Sequence, residues 1–243
     1  MKCLIFAKRC AKEILRDPLT VIFSLGFPVV LLLLLTAIQA NIPVSLFELQ
    51  TLTPGICVFG LSFISLFSAT LIAKDRESAF LQRLYTTPLR AADYILGYAL
   101  PFLPISLAQS AVCYLLAMVL GLPFSWHILL SLLTILPVSL LFIAVGLLAG
   151  SVLNTKQVGG ICGALMTNLT AWLSGVWFDL ELVGGTFRKV AYALPFVHAV
   201  ELERGILNAS YGAMWQHIGI LVGYIAALLL VAIALFLRQM RRP

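Results

Sequence analysis

Few side chains in this sequence stand at spacings that could do chemistry. His198 and Glu201 are three residues apart, with Glu203 and His217 following. On a helix His198 and Glu201 would share one face, which a metal ion could use. No HExxH accompanies them, and a third ligand would have to come from elsewhere. The competing reading pairs Glu201 with Arg204, also three residues on, and on that reading no metal is expected. No GxSxG elbow, no paired intramembrane carboxylates and no GxxxxGK(S/T) phosphate loop occur. The chain is therefore not expected to bind ATP by that route or to be an enzyme by itself, and it needs no cofactor. The five cysteines, at 3, 10, 57, 113 and 162, form no CxxC pair and read as small apolar filler. Asn168 and Thr170 lie in an apolar stretch and could touch a substrate path. The reading favoured over that one is an interhelical hydrogen bond.

The elements that would carry these residues are membrane helices. Of 243 residues 61% are hydrophobic and only 11% charged, against roughly 25% charged in soluble domains. Too few charges remain to cover a water-facing surface. The apolar runs are continuous, which excludes the alternating strands of a transmembrane barrel. Six runs are long enough to cross: Leu19 to Ala40, Leu49 to Ala73, two within Tyr94 to Thr155, Gln157 to Phe178, and Ile218 to Leu237. Gly121, Pro123, Ser125 and His127 divide the long run, and Pro101 and Pro104 should kink its first half. Residues 1–17 form a basic amphipathic helix, with Leu4, Ala7, Ala11 and Ile14 on one face and Lys8, Arg9 and Lys12 mostly off it; such a helix lies in the interface. Val190 to Val200 is apolar but too short to cross, so residues 179–216, with Glu201 and Arg204, are expected as short interfacial or re-entrant helices.

The expected fold is thus all-α, a single polytopic domain over 1–243 with six transmembrane helices behind an interfacial one. Lys and Arg number thirteen on the side holding both termini and three on the other, so the termini and the loop 74–93 are expected in the cytosol. The net charge of +6 then reflects topology, and no nucleic-acid partner is expected. The expected spans carry no Asp, Glu, Lys or Arg, which argues against a proton- or ion-coupled carrier. Three small-residue pairs, Gly146/Gly150, Gly159/Gly163 and Gly219/Gly223, allow close helix approach.

The segment 74–98, KDRESAFLQRLYTTPLRAADYILGY, carries most of the remaining information. Its first half reads as a short helix with Phe80, Leu81, Leu84 and Tyr85 as an apolar ridge. Pro88 stops that helix near Thr86, and Thr87 can cap the next one. The ridge suits either a soluble partner or a helix lying flat on lipid.

This segment resembles the loop of the type-2 permeases of ATP-binding-cassette exporters, through Asp75, Arg76, Glu77, Leu81, Arg83, Leu84, Thr87, Pro88, Leu96 and Gly97. Ala79, Phe80 and Gln82 depart from the family's usual Gly, Thr and acid. ALPFVHAVELERGIL, with Pro195, Glu201 and Arg204, resembles the stretch before the family's last span. The resemblance implies a dimer of permease subunits, identical or not, with a translocation path between them and a separate cytosolic ATPase that uses ATP and Mg. It makes residues 1–17 an elbow helix, with Lys8, Arg9 and Lys12, and makes residues 74–93 the loop that couples to the ATPase. The implied location is the cell membrane, and uncharged spans suit an amphipathic cargo such as a drug, lipid-linked molecule or peptide. A membrane-embedded enzyme and a non-transporting scaffold or immunity protein are the alternatives.

Overall fold

Apolar runs of this length can satisfy their backbone only within helices or closed barrels. The chain uses helices throughout. The computed structural model describes residues 2–78, 80 and 91–240, and no strand occurs among them. The helices are α1 (Lys2–Arg16), α2 (Pro18–Gln39), α3 (Leu49–Glu77), α4 (Ala91–Ala99), α5 (Phe102–Val119) and α6 (Trp126–Val152). Then follow α7 (155–173), α8 (Leu180–Val183), α9 (Gly185–Tyr192), α10 (Pro195–Leu207) and α11 (Met214–Met240).

Five stretches among the described residues are long and apolar enough to cross a membrane: α2, α3, α4 with α5 (Ala92–Val119), α6 and α11. The expected crossing at Gln157 to Phe178 is not among them. It is helical over 155–173, but Gly159–Met166 is wound as a wide π-helix, and Gly175, at φ +74°, turns the chain before Phe178. The expected kink appears at Pro101, where α4 gives way to α5. The expected break is built by Gly121, at φ +116°, and by Ser125, which caps α6 by accepting from the His127 amide at 3.3 Å.

α3 is the mast of the bundle. Its apolar window is 83% buried, against 22% for α2 and 17% for α11, which turn their apolar sides outward. α6 lies closest against it. A Cβ at Gly146 would stand 2.6 Å from the Ser65 carbonyl oxygen, and one at Gly150 would stand 2.6 Å from that of Ala69. The α3 surface they meet is lined with small groups, because Ser65 and Ser68 donate back to the carbonyls of Ser62 and Ser65 at 2.6 and 3.2 Å. The other two glycine pairs make no comparable approach, since Gly159, Gly219 and Gly223 have no neighbour within 4 Å of a Cβ.

The structure refines three expectations. First, Lys74 to Glu77 is the last turn of α3, which ends at the Ser78 turn, so these four charged residues continue the span. Its 29 residues reach ~44 Å at 1.5 Å each, longer than a ~30 Å hydrocarbon core, so the charges can stand beyond it. Second, within residues 179–216, expected as short interfacial or re-entrant helices, one helix goes into the bundle. α10 packs into the bundle against α3, α6 and α11, burying Val197, Val200, Leu202 and Ile206, because its apolar residues repeat on more than one face. Third, α1 buries Phe6, Ala7, Cys10 and Ile14, while Leu4 is 65% exposed. Phe6 selects this face. Its ring seats over Gly97 of α4, edge-on to Tyr98 at 4.9 Å and Tyr94 at 6.0 Å.

Candidate functional site

Where α3 leaves the bundle, three consecutive side chains together hold four other helices. Asp75 turns inward and is 3% exposed. Its carboxylate accepts from Arg9 Nη1 and Nη2 of α1 at 2.5 and 2.8 Å, and from the Tyr98 hydroxyl of α4 at 2.8 Å. The guanidinium fork supplies the two parallel bonds that a lysine could not. Arg76 donates to the Ser151 and Leu153 carbonyls, the orphan acceptors at the end of α6, where a cation is favoured by the helix dipole. Glu77 accepts from the Thr155 amide at 2.8 Å and the Thr155 hydroxyl at 2.9 Å, placing negative charge at the start of α7. Asn154 and Gln157 complete that start as a reciprocal capping box.

Arg9 is the most shared group of this clasp. Glu13 lies 2.7 Å from its Nη2, and its guanidinium stands over the Phe80 ring at 4.2 Å. Burial alone would lower the Arg9 pKa, but the hydrogen bonds and charge of Asp75 outweigh it and hold the guanidinium firmly protonated. Burial raises the Glu13 carboxyl, with Arg9 opposing it. The Cys10 thiol beneath Arg9 is pushed up by burial to about 12 and stays neutral. Nothing in the clasp is poised as a nucleophile or general base. Its chemistry is the rigid joining of α1, α4, α6 and α7 to the end of α3.

Of the residues expected to couple to a partner, Asp75, Arg76 and Glu77 therefore form one structural joint. Leu81, Arg83, Leu84, Thr87 and Pro88 lie outside the described residues. Among the elbow residues, Arg9 faces inward, whereas Lys8 and Lys12 are exposed. The possible path residues use their side chains locally. Asn168 donates to the Ala164 carbonyl at 2.8 Å and is exposed, while Thr170 donates to the Met166 carbonyl at 2.9 Å and is buried.

The opposite end of α3 has its own staple. Arg204 donates to the Thr51 carbonyl at 3.0 Å and the Gly175 carbonyl at 2.9 Å, and lies 3.3 Å from Glu201. It thereby joins α10, the start of α3 and the turn after α7. A cavity of about 700 Å³ opens beside it, lined in part by Trp177, Phe178, Asp179, Glu201, Arg204 and His217.

Sequence reasoning placed Glu203 only beside a possible metal pair and missed its partners. Glu203 is fully buried and accepts from Ser131 at 2.8 Å and Thr134 at 2.9 Å, and Ser131 in turn accepts from Tyr114 at 3.0 Å. It joins α10 to α5 and α6. The only signal was its place two residues after Glu201, which puts it on the other side of the helix. Tyr98 and Thr155 were missed because their partners are 23 and 78 residues away.

Compared with known families, residues 1–208 match the family described as ABC-2 type transporter. A comparison with curated proteins finds no match.

Proposed function

The chain belongs to the ABC-2 type transporter family, and from that membership and the clasp we propose that it is the permease subunit of an exporter whose power comes from a separate cytosolic ATPase. The family and the five long apolar helices make it a multi-pass membrane protein and a membrane component of an ABC transporter. The finer reading has six crossings, with α7 as the fifth, and both termini in the cytosol of the cell membrane, as the thirteen-to-three split of Lys and Arg supports. A second permease copy, identical or not, completes the path for an amphipathic cargo. The partner subunit, and not this chain, uses ATP and Mg.

The observation that carries the coupling is the clasp. Asp75–Arg76–Glu77 close α3, and α4 spans Ala91–Ala99. A partner pressing on the segment between, with Leu81, Arg83, Leu84, Thr87 and Pro88, pushes on a joint that already holds four other helices. Displacement there reaches α1, α4, α6 and α7 together and can bias an inward–outward equilibrium of the spans.

The test is reconstitution with the ATPase that co-purifies with the chain. Arg83→Glu is expected to leave the chain folded and the ATPase active while abolishing cargo efflux. Wild-type efflux from this variant, or labelling of an Arg83→Cys variant from the external side of sealed cells, overturns the reading.

A further inference from the structure

His198 and His217 meet across the seam between α10 and α11. Their Nδ1 atoms are 2.8 Å apart, and His198 Nε2 lies 3.0 Å from the Tyr192 carbonyl oxygen at the end of α9. A carbonyl can only accept, so Nε2 carries the proton of a neutral His198, and its Nδ1 presents a lone pair to His217. An imidazole whose far N–H is pinned to a backbone carbonyl is also how proteins prepare a histidine to ligate a metal.

We propose that His198 and His217 are the nitrogen ligands of a divalent transition-metal site, with Glu201 as its carboxylate ligand. Two Nδ1 atoms bound tetrahedrally to zinc at ~2.0–2.1 Å stand about 3.3 Å apart, so the nitrogens part by about half an ångström and both rings swing off the head-on line of the present hydrogen bond, in which the ring centroids are 5.1 Å apart. With no ion, a single proton between the two nitrogens fills the gap. Glu201 is one turn from His198 on the same face, and its 3.3 Å contact is the longest of the three that Arg204 makes. Among the described residues no three such side chains already converge. The ion therefore draws Glu201 away from Arg204, which keeps its bonds to the Thr51 and Gly175 carbonyls. Glu201 and His217 both line the 700 Å³ cavity, which gives the ion an entry path and a water for the remaining position. Imidazole with carboxylate favours zinc, copper or nickel over calcium or magnesium. Bound there, the ion would clip the start of α11 to α10, and through Tyr192 to α9.

The test uses the full chain, purified in detergent through a tag without histidine and titrated with Co²⁺ and Zn²⁺ alone. Wild type is expected to give Co²⁺ ligand-field bands in the visible, displaced by Zn²⁺, and Zn²⁺ should raise its melting temperature. His198→Gln and His217→Gln should each weaken binding by about 100-fold or more, while His127→Gln, which alters the third histidine of the chain, should bind as wild type. His217→Cys keeps a ligand and should bind Co²⁺ with an added thiolate charge-transfer band, which covers the case in which a glutamine variant fails to fold. Absence of visible bands in wild type overturns the site. So does binding unchanged in the glutamine variants, or a thiolate band in wild type, which would place the ion on a cysteine.

Discussion

Replacing Arg9 with alanine is the most direct perturbation of the clasp. The change removes two charge-assisted bonds, at 2.5 and 2.8 Å, and leaves Asp75 with the Tyr98 hydroxyl. The side chains are unequally buried, 35% exposed for Arg9 and 4% for Asp75. Stranding one member of a buried pair costs ~3–5 kcal/mol, and losing an exposed pair ~0–1. Water reaches the Arg9 side, so an intermediate loss of about 2–3 kcal/mol is expected. At ~2–4 °C per kcal/mol for a chain of this size, the melting temperature in nanodiscs should fall by about 5–10 °C. Asp75→Ala should cost less, about 1–2 kcal/mol, because Arg9 keeps Glu13 at 2.7 Å. The double variant should be more stable than the sum of the singles predicts, by about 1 kcal/mol, since no carboxylate is then stranded. Arg9→Lys should recover only part of the loss, as an ammonium cannot span both oxygens. The exposed neighbour Lys8 is the control. If Arg9→Ala melts with Lys8→Ala, or if the two singles add without coupling, the clasp does not hold α1 to α3.

Other outcomes follow from the packing. Gly146→Ala forces a Cβ against the Ser65 carbonyl and should destabilise by about 1–3 kcal/mol in the same melting assay, whereas Gly219→Ala should be neutral. Glu203→Gln keeps partners for Ser131 and Thr134 and should cost about 1 kcal/mol, while Glu203→Ala adds a cavity and should cost about 3; equal losses would show that the hydrogen bonds carry nothing. The Glu13 pKa is raised in the folded chain, so charging it opposes folding; the penalty is present above the folded pKa and absent below the unfolded one. Glu13→Gln should therefore not lower the melting temperature at pH 7, and any gain should vanish as pH falls below the carboxylate range.

Much of this architecture was legible because lipid makes it simple to read. Continuous apolar runs located α2, α3, α6 and α11, and Pro101 and Gly121 marked their breaks where they occur. Local patterning could not say which of several glycine pairs is a contact, because that depends on the facing helix; only Gly146 and Gly150 meet a surface of serines and alanine small enough to admit them. The charged tripeptide stood out as a motif, but its inward role did not. Arg9 and Asp75 are 66 residues apart, and nothing near either one names the other. The burial of Glu203 was hidden for a similar reason: a carboxylate inside the bundle is tolerable only with Ser131 and Thr134 beside it, and they come from another helix.

The separations within the clasp also bear on how the chain is made. Asp75 can find Arg9 as soon as α3 is synthesised, but the carbonyls that Arg76 needs belong to residues 151 and 153, and Glu77 waits for Thr155. During translation the end of the second crossing therefore stays incomplete until the fourth has been threaded. A chain cut short before residue 151 would leave the side chains of Arg76 and Glu77 without these contacts.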